Sequence, residues 1–278
     1  MVIKDQVVSM INKPDFSLDG HVILLTGASG YLGNAMCDAI TNAGAELIMS
    51  GRRVEALETS RNRLPTSVRE KCHLYSGDVT QKETIYSLRD YIGDKFGKLH
   101  GVVNNAYAGR VGPLDTINPE DFLMAGQYNL ITPFMLIKEL LPLLKEGAEQ
   151  SGKSSSVVNV ASMYGIVSPD PSIYGDSGKN NPIHYGATKA GLIQMTRYLA
   201  CHLCLLGIRF NSISPGPFPN TEIDSGIPGF YTKLAEKVPM KRVGKPYEVA
   251  RPVVFLLSDA ASYVNGVNLP VDGGWTAW

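Results

Sequence analysis

The sequence has no net charge. Its 26 lysines and arginines meet 26 aspartates and glutamates in 278 residues, and no basic cluster stands out. That leaves no electrostatic footprint for nucleic acid or an anionic membrane surface and turns attention to small molecules. Long apolar runs are missing too. The longest, such as Val253 to Leu257, suit a core strand or helix and fall far short of a membrane span. The opening stretch to Gly20 alternates polar and apolar residues, without the apolar centre and small-residue cleavage site of a signal peptide, so a cytoplasmic protein is expected. Cysteine is scarce: four residues, at 37, 72, 201 and 204, form no secreted disulfide framework. Cys201 and Cys204 enclose His202 in a C-x-x-C, but no second ligand pair accompanies it. The helical apolar period of Gly191 to Gly207 predicts buried, inert thiols there and no metal site.

What is present is an ordinary globular composition, 44% hydrophobic and 19% charged, with chain enough for a sizeable core. From His21 onward, short apolar runs of strand type ("HVILLTG", "AELIMSG", "CHLYSGD", "KLHGVVNNA", "SSSVVNVAS", "IRFNSISPG", "GVNLPVDGG") alternate with segments of helical period, such as Leu32 to Ala43 and Gln81 to Phe96. This rhythm predicts an α/β fold: a doubly wound parallel sheet with helices on both faces and ligands beyond the carboxyl ends of the strands. We divide the chain into a tail, 1–17, and a single domain, 18–278.

In "ILLTGASGYLG" the first strand runs into a turn with Gly27, Gly30 and Gly33 and then into a helix. Glycines at such a junction let the backbone approach a pyrophosphate whose charge sits on the helix N-terminus. The second strand ends in Ser50, Gly51, Arg52 and Arg53 with no carboxylate. An acid there would suit the ribose hydroxyls of NAD, whereas an arginine suits a 2'-phosphate, so NADP is the expected cofactor, with NAD the alternative. Farther on, Tyr185 and Lys189 stand four residues apart, on one helical face. A cation beneath a phenol favours the ionised form and yields a tuned acid/base.

With "SGD" followed by Val79, "VVNNA", a strand ending at Ser162, the Tyr185/Lys189 pair, "SPGP" and a terminal "VDGG" in order, the chain resembles the short-chain dehydrogenase/reductases from Leu18 to Trp278. The resemblance implies a single-domain Rossmann fold and hydride transfer between NAD(P) and a carbonyl or alcohol. It implies Tyr185 as acid/base, Lys189 lowering its pKa and binding the nicotinamide ribose, Ser162 holding the substrate oxygen, and Asn129 supporting a water relay. For the cofactor it implies Gly27, Ser29, Tyr31 and Leu32 at the turn, Arg52, then Asp78 and Val79 at the adenine, and Asn105 and Ala106. Tyr185, Lys189, Pro215, Gly216 and Phe218 complete the set at the nicotinamide end. Three departures stand out. Tyr31 takes a position where members usually have glycine, which fits the extended epimerase-type turn equally. Tyr107 replaces the last glycine of the "NNAG" element, and the gap from Ser162 to Tyr185 is long. "NNPIHYGATKAG", "SPGPFPN" and "VDGGWTAW" further resemble a gluconate 5-dehydrogenase-like subgroup and bacterial oxidoreductases of surface-sugar and flagellin-glycosylation pathways.

The long gap reads as a loop insertion at about 163–184. Its hydroxyls, amides, Asp170, Asp176 and Lys179, with few large apolar groups beyond Met163, Ile166, Val167 and Ile173, point to a sugar, sugar derivative or polyhydroxy acid as substrate. Two other readings stay open: a sugar-nucleotide epimerase or dehydratase that retains its cofactor, and a non-catalytic dinucleotide-binding regulator. The resemblance also implies a homo-oligomer, tetramer or dimer, paired through the helices around 121–146 and 185–206. The first is apolar on more than one face, beyond what a lone surface helix needs.

Overall fold

The computed structural model describes residues 16–220 and 225–278; most of the expected tail lies outside them. Seven strands form one parallel sheet: β1 (Val22–Thr26), β2 (Glu46–Gly51), β3 (Cys72–Ser76), β4 (Gly101–Asn104), β5 (Ser155–Val160), β6 (Ile208–Pro215) and β7 (Asn268–Val271), in the order β3-β2-β1-β4-β5-β6-β7. The order reverses beside β1, and there the fold opens its crevice beyond the strand ends. This is a single Rossmann-type domain, and the seven strand-type runs of the sequence are its seven strands.

Helices cover both faces: α1 (Tyr31–Asn42), α2 (Val54–Asn62), α3 (Lys82–Phe96), α4 (Pro119–Gly126), α5 (Thr132–Ser151), α6 (Ile183–Leu203), α7 (Phe230–Lys237) and α8 (Pro246–Leu257), with a single helical turn at Thr66–Arg69. The central strands are apolar in unbroken runs because successive side chains enter opposite cores. Ile23 and Leu25 join the α1/α8 core, while Val22 and Leu24 join the core under α3 and α5. Met49 and Ile48 divide in the same way.

A third apolar cluster was not expected. Met163, Tyr164, Ile173 and Tyr174 of the supposed open loop pack with Leu234, Val238 and Trp275, through short helical turns at Met163–Gly165 and Pro171–Ile173. Two of the polar groups assigned to substrate serve the fold instead: Asp170 pairs with Lys237, and Lys179 donates to the Ser225 carbonyl at 2.6 Å. The thiols need correction as well. Cys201 and Cys204 are exposed, because α6 turns Leu199 and Ala200 inward at this point and the cysteines fall on the other side.

Candidate active site

The glycine turn is held by its neighbours before any ligand arrives. Gly27 has φ +65°, and a Cβ there would lie 2.9 Å from Ala106 Cα, so the turn and the segment after β4 touch backbone to backbone. Asn105 fastens the contact. Its side-chain amide donates to the carbonyls of Thr26 and Gly27, both at 3.1 Å, and its N–H and that of Ala106 donate to Thr26 Oγ1 at 3.0 and 3.1 Å. Gly33 allows α1 to start hard against the turn, since a Cβ there would be 2.2 Å from the Gly27 carbonyl oxygen. Gly30 caps α1 without a side-chain bond, and no acidic residue stands in the first turn. The N–H groups of that turn, with the positive end of the helix dipole, therefore remain available to an anion.

This turn opens a cleft of about 510 Å³. Every cofactor residue expected from the sequence lines it: Gly27, Ser29, Tyr31 and Leu32, Arg52, Asp78 and Val79, Asn105 and Ala106, Tyr185 and Lys189, and Pro215, Gly216 and Phe218. Tyr31 spans the mouth, its hydroxyl donating to the Pro219 carbonyl at 3.2 Å. Asp78 is braced by Thr80, whose N–H and hydroxyl donate to its carboxylate at 3.0 and 2.8 Å. Gly216 is needed where β6 leaves the sheet, because a Cβ would sit 2.5 Å from Asp272 Cα.

Ser162 and Tyr185 also line the cleft, and Lys189 lies buried one turn beyond Tyr185, donating to the Val160 carbonyl at 2.6 Å. Burial raises the Tyr185 pKa while the Ser162 side chain pulls it down, and burial draws Lys189 down to about 7. In the protein alone the phenol is thus held protonated, the reverse of the lowering expected from Lys189. A neighbouring cation favours phenolate only while it is itself charged, and burial opposes both charges.

Asn129 is placed differently from the rest. It lies beneath the cleft, 1% exposed, in a π-helical turn at Gln127–Ile131 that joins α4 to α5. Its amide donates to Thr188 Oγ1 at 2.9 Å, tying the turn to the helix that carries Tyr185 and Lys189. Such π turns recur at functional sites. Lining residues that had been given no place there include Arg53, Tyr107 and Tyr128. Tyr107 could have been found from its intrusion into a glycine position; nothing in the local pattern marks Tyr128.

A parallel nucleotide-type sheet with a phenol, a hydroxyl and an ammonium gathered at its crevice defines a dinucleotide-dependent oxidoreductase. The protein-family model described as enoyl-(acyl carrier protein) reductase matches residues 27–276, and the chain belongs to the short-chain dehydrogenase/reductase family. It is 32% identical over 262 residues to 3-oxoacyl-[acyl-carrier-protein] reductase of Thermotoga maritima, covering 92% of this chain and 98% of the relative. An uncharacterized short-chain type dehydrogenase/reductase of Sinorhizobium fredii is 32% identical over 261 residues, 92% of this chain but 44% of that longer protein. Among solved structures, the RhlG/NADP active-site complex of Pseudomonas aeruginosa superposes with a TM-score of 0.85 at 29% identity, covering 95% of this chain and 99% of that one. Gluconate 5-dehydrogenase of Burkholderia cenocepacia, in complex with NADP and tartrate, gives 0.81 at 25%, covering 95% and 98%.

Proposed function

We propose that this enzyme transfers a hydride between NAD(P) and a carbonyl or secondary alcohol, with NADP preferred and a sugar, sugar derivative or polyhydroxy acid as substrate. The observation that carries the reading is the convergence of Ser162, Tyr185 and Lys189 on the cleft that the glycine turn opens. The residues suit a dinucleotide: uncapped N–H groups at α1 for the pyrophosphate, Arg52 for a 2'-phosphate, Asp78 and Val79 for the adenine, and Asn105 and Ala106 bracing the turn. The bound nicotinamide supplies or accepts the hydride. The protein's side chains orient the substrate and manage the proton. Ser162 holds the substrate oxygen, Lys189 binds the ribose, Asn129 supports the water relay that returns a proton, and Tyr185 protonates the oxygen. A phenol kept protonated by its burial is a ready donor for reduction, and oxidation runs through the same groups in reverse.

Sugar chemistry is supported by the likeness to the gluconate enzyme and by the hydroxyls of Ser162, Tyr107 and Tyr128 in the cleft. One observation favours a second reading. A hollow of about 620 Å³ beside the insertion is walled by groups such as Leu114, Ile166, Val167, Pro171 and Ile183, which suits an acyl chain and accords with the 3-oxoacyl reductase likeness. A homo-oligomer completes the reading: α4, α5 and α6 expose Leu123, Phe134, Ile183 and Tyr198, the first at 73%. A light-scattering mass of one chain at micromolar concentration would contradict it.

The test of the catalytic assignment is Tyr185→Phe. It deletes the proton donor and keeps the ring, so turnover should fall by about 10²- to 10⁴-fold while reduced cofactor binds nearly as before. Near-normal turnover would remove Tyr185 from the mechanism.

A further inference from the structure

Tyr107 stands where the related turn ends in glycine, and it lines the cleft. Its ring centroid lies 5.0 Å from that of Tyr185, at an interplanar angle of 65°, and 6.3 Å from that of Tyr128, at 68°. The chain makes room for it: a Cβ at Gly109 would lie 2.0 Å from the Tyr107 hydroxyl oxygen. Lys189 Nζ sits 5.6 Å from the Tyr107 centroid and 5.7 Å from that of Tyr185. The ammonium thus lies between two aromatic rings.

That position matters because Lys189 is poorly supplied with partners. It is 4% exposed, and its hydrogen bond among the described residues goes to the Val160 carbonyl. A buried ammonium without a carboxylate partner sheds its proton easily. The negative face of an aromatic ring opposes that loss, and the effect grows as water is excluded. A glycine at this place would contribute nothing of the kind.

We propose that Tyr107 is a positioning residue for the reaction, its ring keeping Lys189 charged beneath Tyr185 and its edge-to-face contact holding the Tyr185 ring. The proposal rests on the roles given above to Lys189 and Tyr185. The groups around this cation are Tyr185 on its own helix, Tyr107 after β4, and the Val160 carbonyl and Ser162 from the end of β5. Farther out, Asp121 of α4 acts on Tyr107, and Tyr185 acts on Tyr164.

The experiment uses NADPH as the probe and follows its dissociation constant against pH by nicotinamide fluorescence in the whole protein. Wild type should lose affinity on the alkaline side as Lys189 deprotonates, and Lys189→Met should abolish that limb. Tyr107→Leu should move its midpoint about one pH unit toward acid, the worth of a desolvated cation–π contact, whereas Tyr107→Phe, which keeps the ring, should match wild type. A far-UV spectrum and melting curve check folding, and Tyr107→Gly replaces the leucine variant if that one unfolds. If Lys189→Met keeps the limb, the role of Lys189 falls and the proposal falls with it. If Lys189→Met abolishes the limb but Tyr107→Leu leaves its midpoint unmoved, or Tyr107→Phe shifts it as far as leucine does, the proposal about Tyr107 alone is overturned.

Discussion

The cleft and the hollow beside it are built on different principles. At the cleft, the glycine turn is a matter of backbone: Gly27 lies against Ala106, Gly33 lies against the turn, and Asn105 spends its amide on main-chain carbonyls. In the hollow beside it, the wall formed by the segment from Met163 to Ile183 is a matter of side chains. Ile173 and Tyr174 are buried, the Tyr164 and Tyr174 hydroxyls meet at 3.2 Å, and Asp170 and Lys179 reach across to the segment that carries α7. A backbone requirement leaves few residue choices, so it is readable from a short stretch. A side-chain wall can be built from many compositions, and its partners come from distant parts of the chain.

That contrast is sharpened most strongly by cutting the wall. Replacing Ser172 to Asn180 by a Gly/Ser linker removes two buried side chains, Ile173 and Tyr174, and at about 2–5 kcal/mol for each emptied core site the protein should lose at least about 4 kcal/mol. Substrate turnover should suffer with it, while NADPH binding at the glycine turn is retained in the folded fraction. An unchanged urea midpoint would mean that the segment is decoration and the contrast false.

The cleft is probed by Arg52→Ala. A charge-assisted contact to phosphate is worth about 1.5–3 kcal/mol, so NADP affinity should drop by roughly 10- to 100-fold with NAD affinity little changed. Equal losses for both cofactors, or tighter NAD binding by the wild type, would defeat the choice of NADP.

A smaller effect arises at the far end of the sheet. Burial, with His21 and Lys98 nearby, holds His100 down to about 4 from an ordinary value of 6.5, and its Nδ1 accepts from the Val22 N–H at 3.0 Å. The unfolded chain therefore binds the extra proton first. Stability from this group is complete above about pH 6.5 and is lost as the pH falls toward 4. Urea midpoints should decline between pH 7 and pH 5, and His100→Asn should flatten the decline; a midpoint that rises on acidification would contradict the assignment.

Much of this was legible in the chain itself. The strands show because each is a short apolar run closed by turn residues. Tyr185, Lys189 and Ser162 show because they stand at fixed places relative to such runs. The π turn at Asn129 was hidden, since a helix with one extra residue per turn keeps nearly the same apolar pattern. Tyr128 was hidden because only the path of α4 and α5 brings it to Arg52, 3.5 Å from its hydroxyl. The insertion misled because counting Pro, Gly and Asp says nothing of where Ile173 and Tyr174 go. Cys201 and Cys204 misled because α6 carries apolar residues on nearly every side, and periodicity then chooses no face.

The central claim, net hydride transfer between nicotinamide and a carbonyl, is tested most directly by stoichiometry. Purified protein is mixed with NADPH and, in parallel, with keto-sugars, keto-aldonates and a 3-oxoacyl thioester, and the loss of nicotinamide absorbance is compared with the alcohol recovered. The account predicts one alcohol formed for each reduced nicotinamide consumed, with the keto-sugars or keto-aldonates turned over in preference to the thioester. Conversion of a sugar substrate with no net change in nicotinamide would contradict it and point to a retained cofactor.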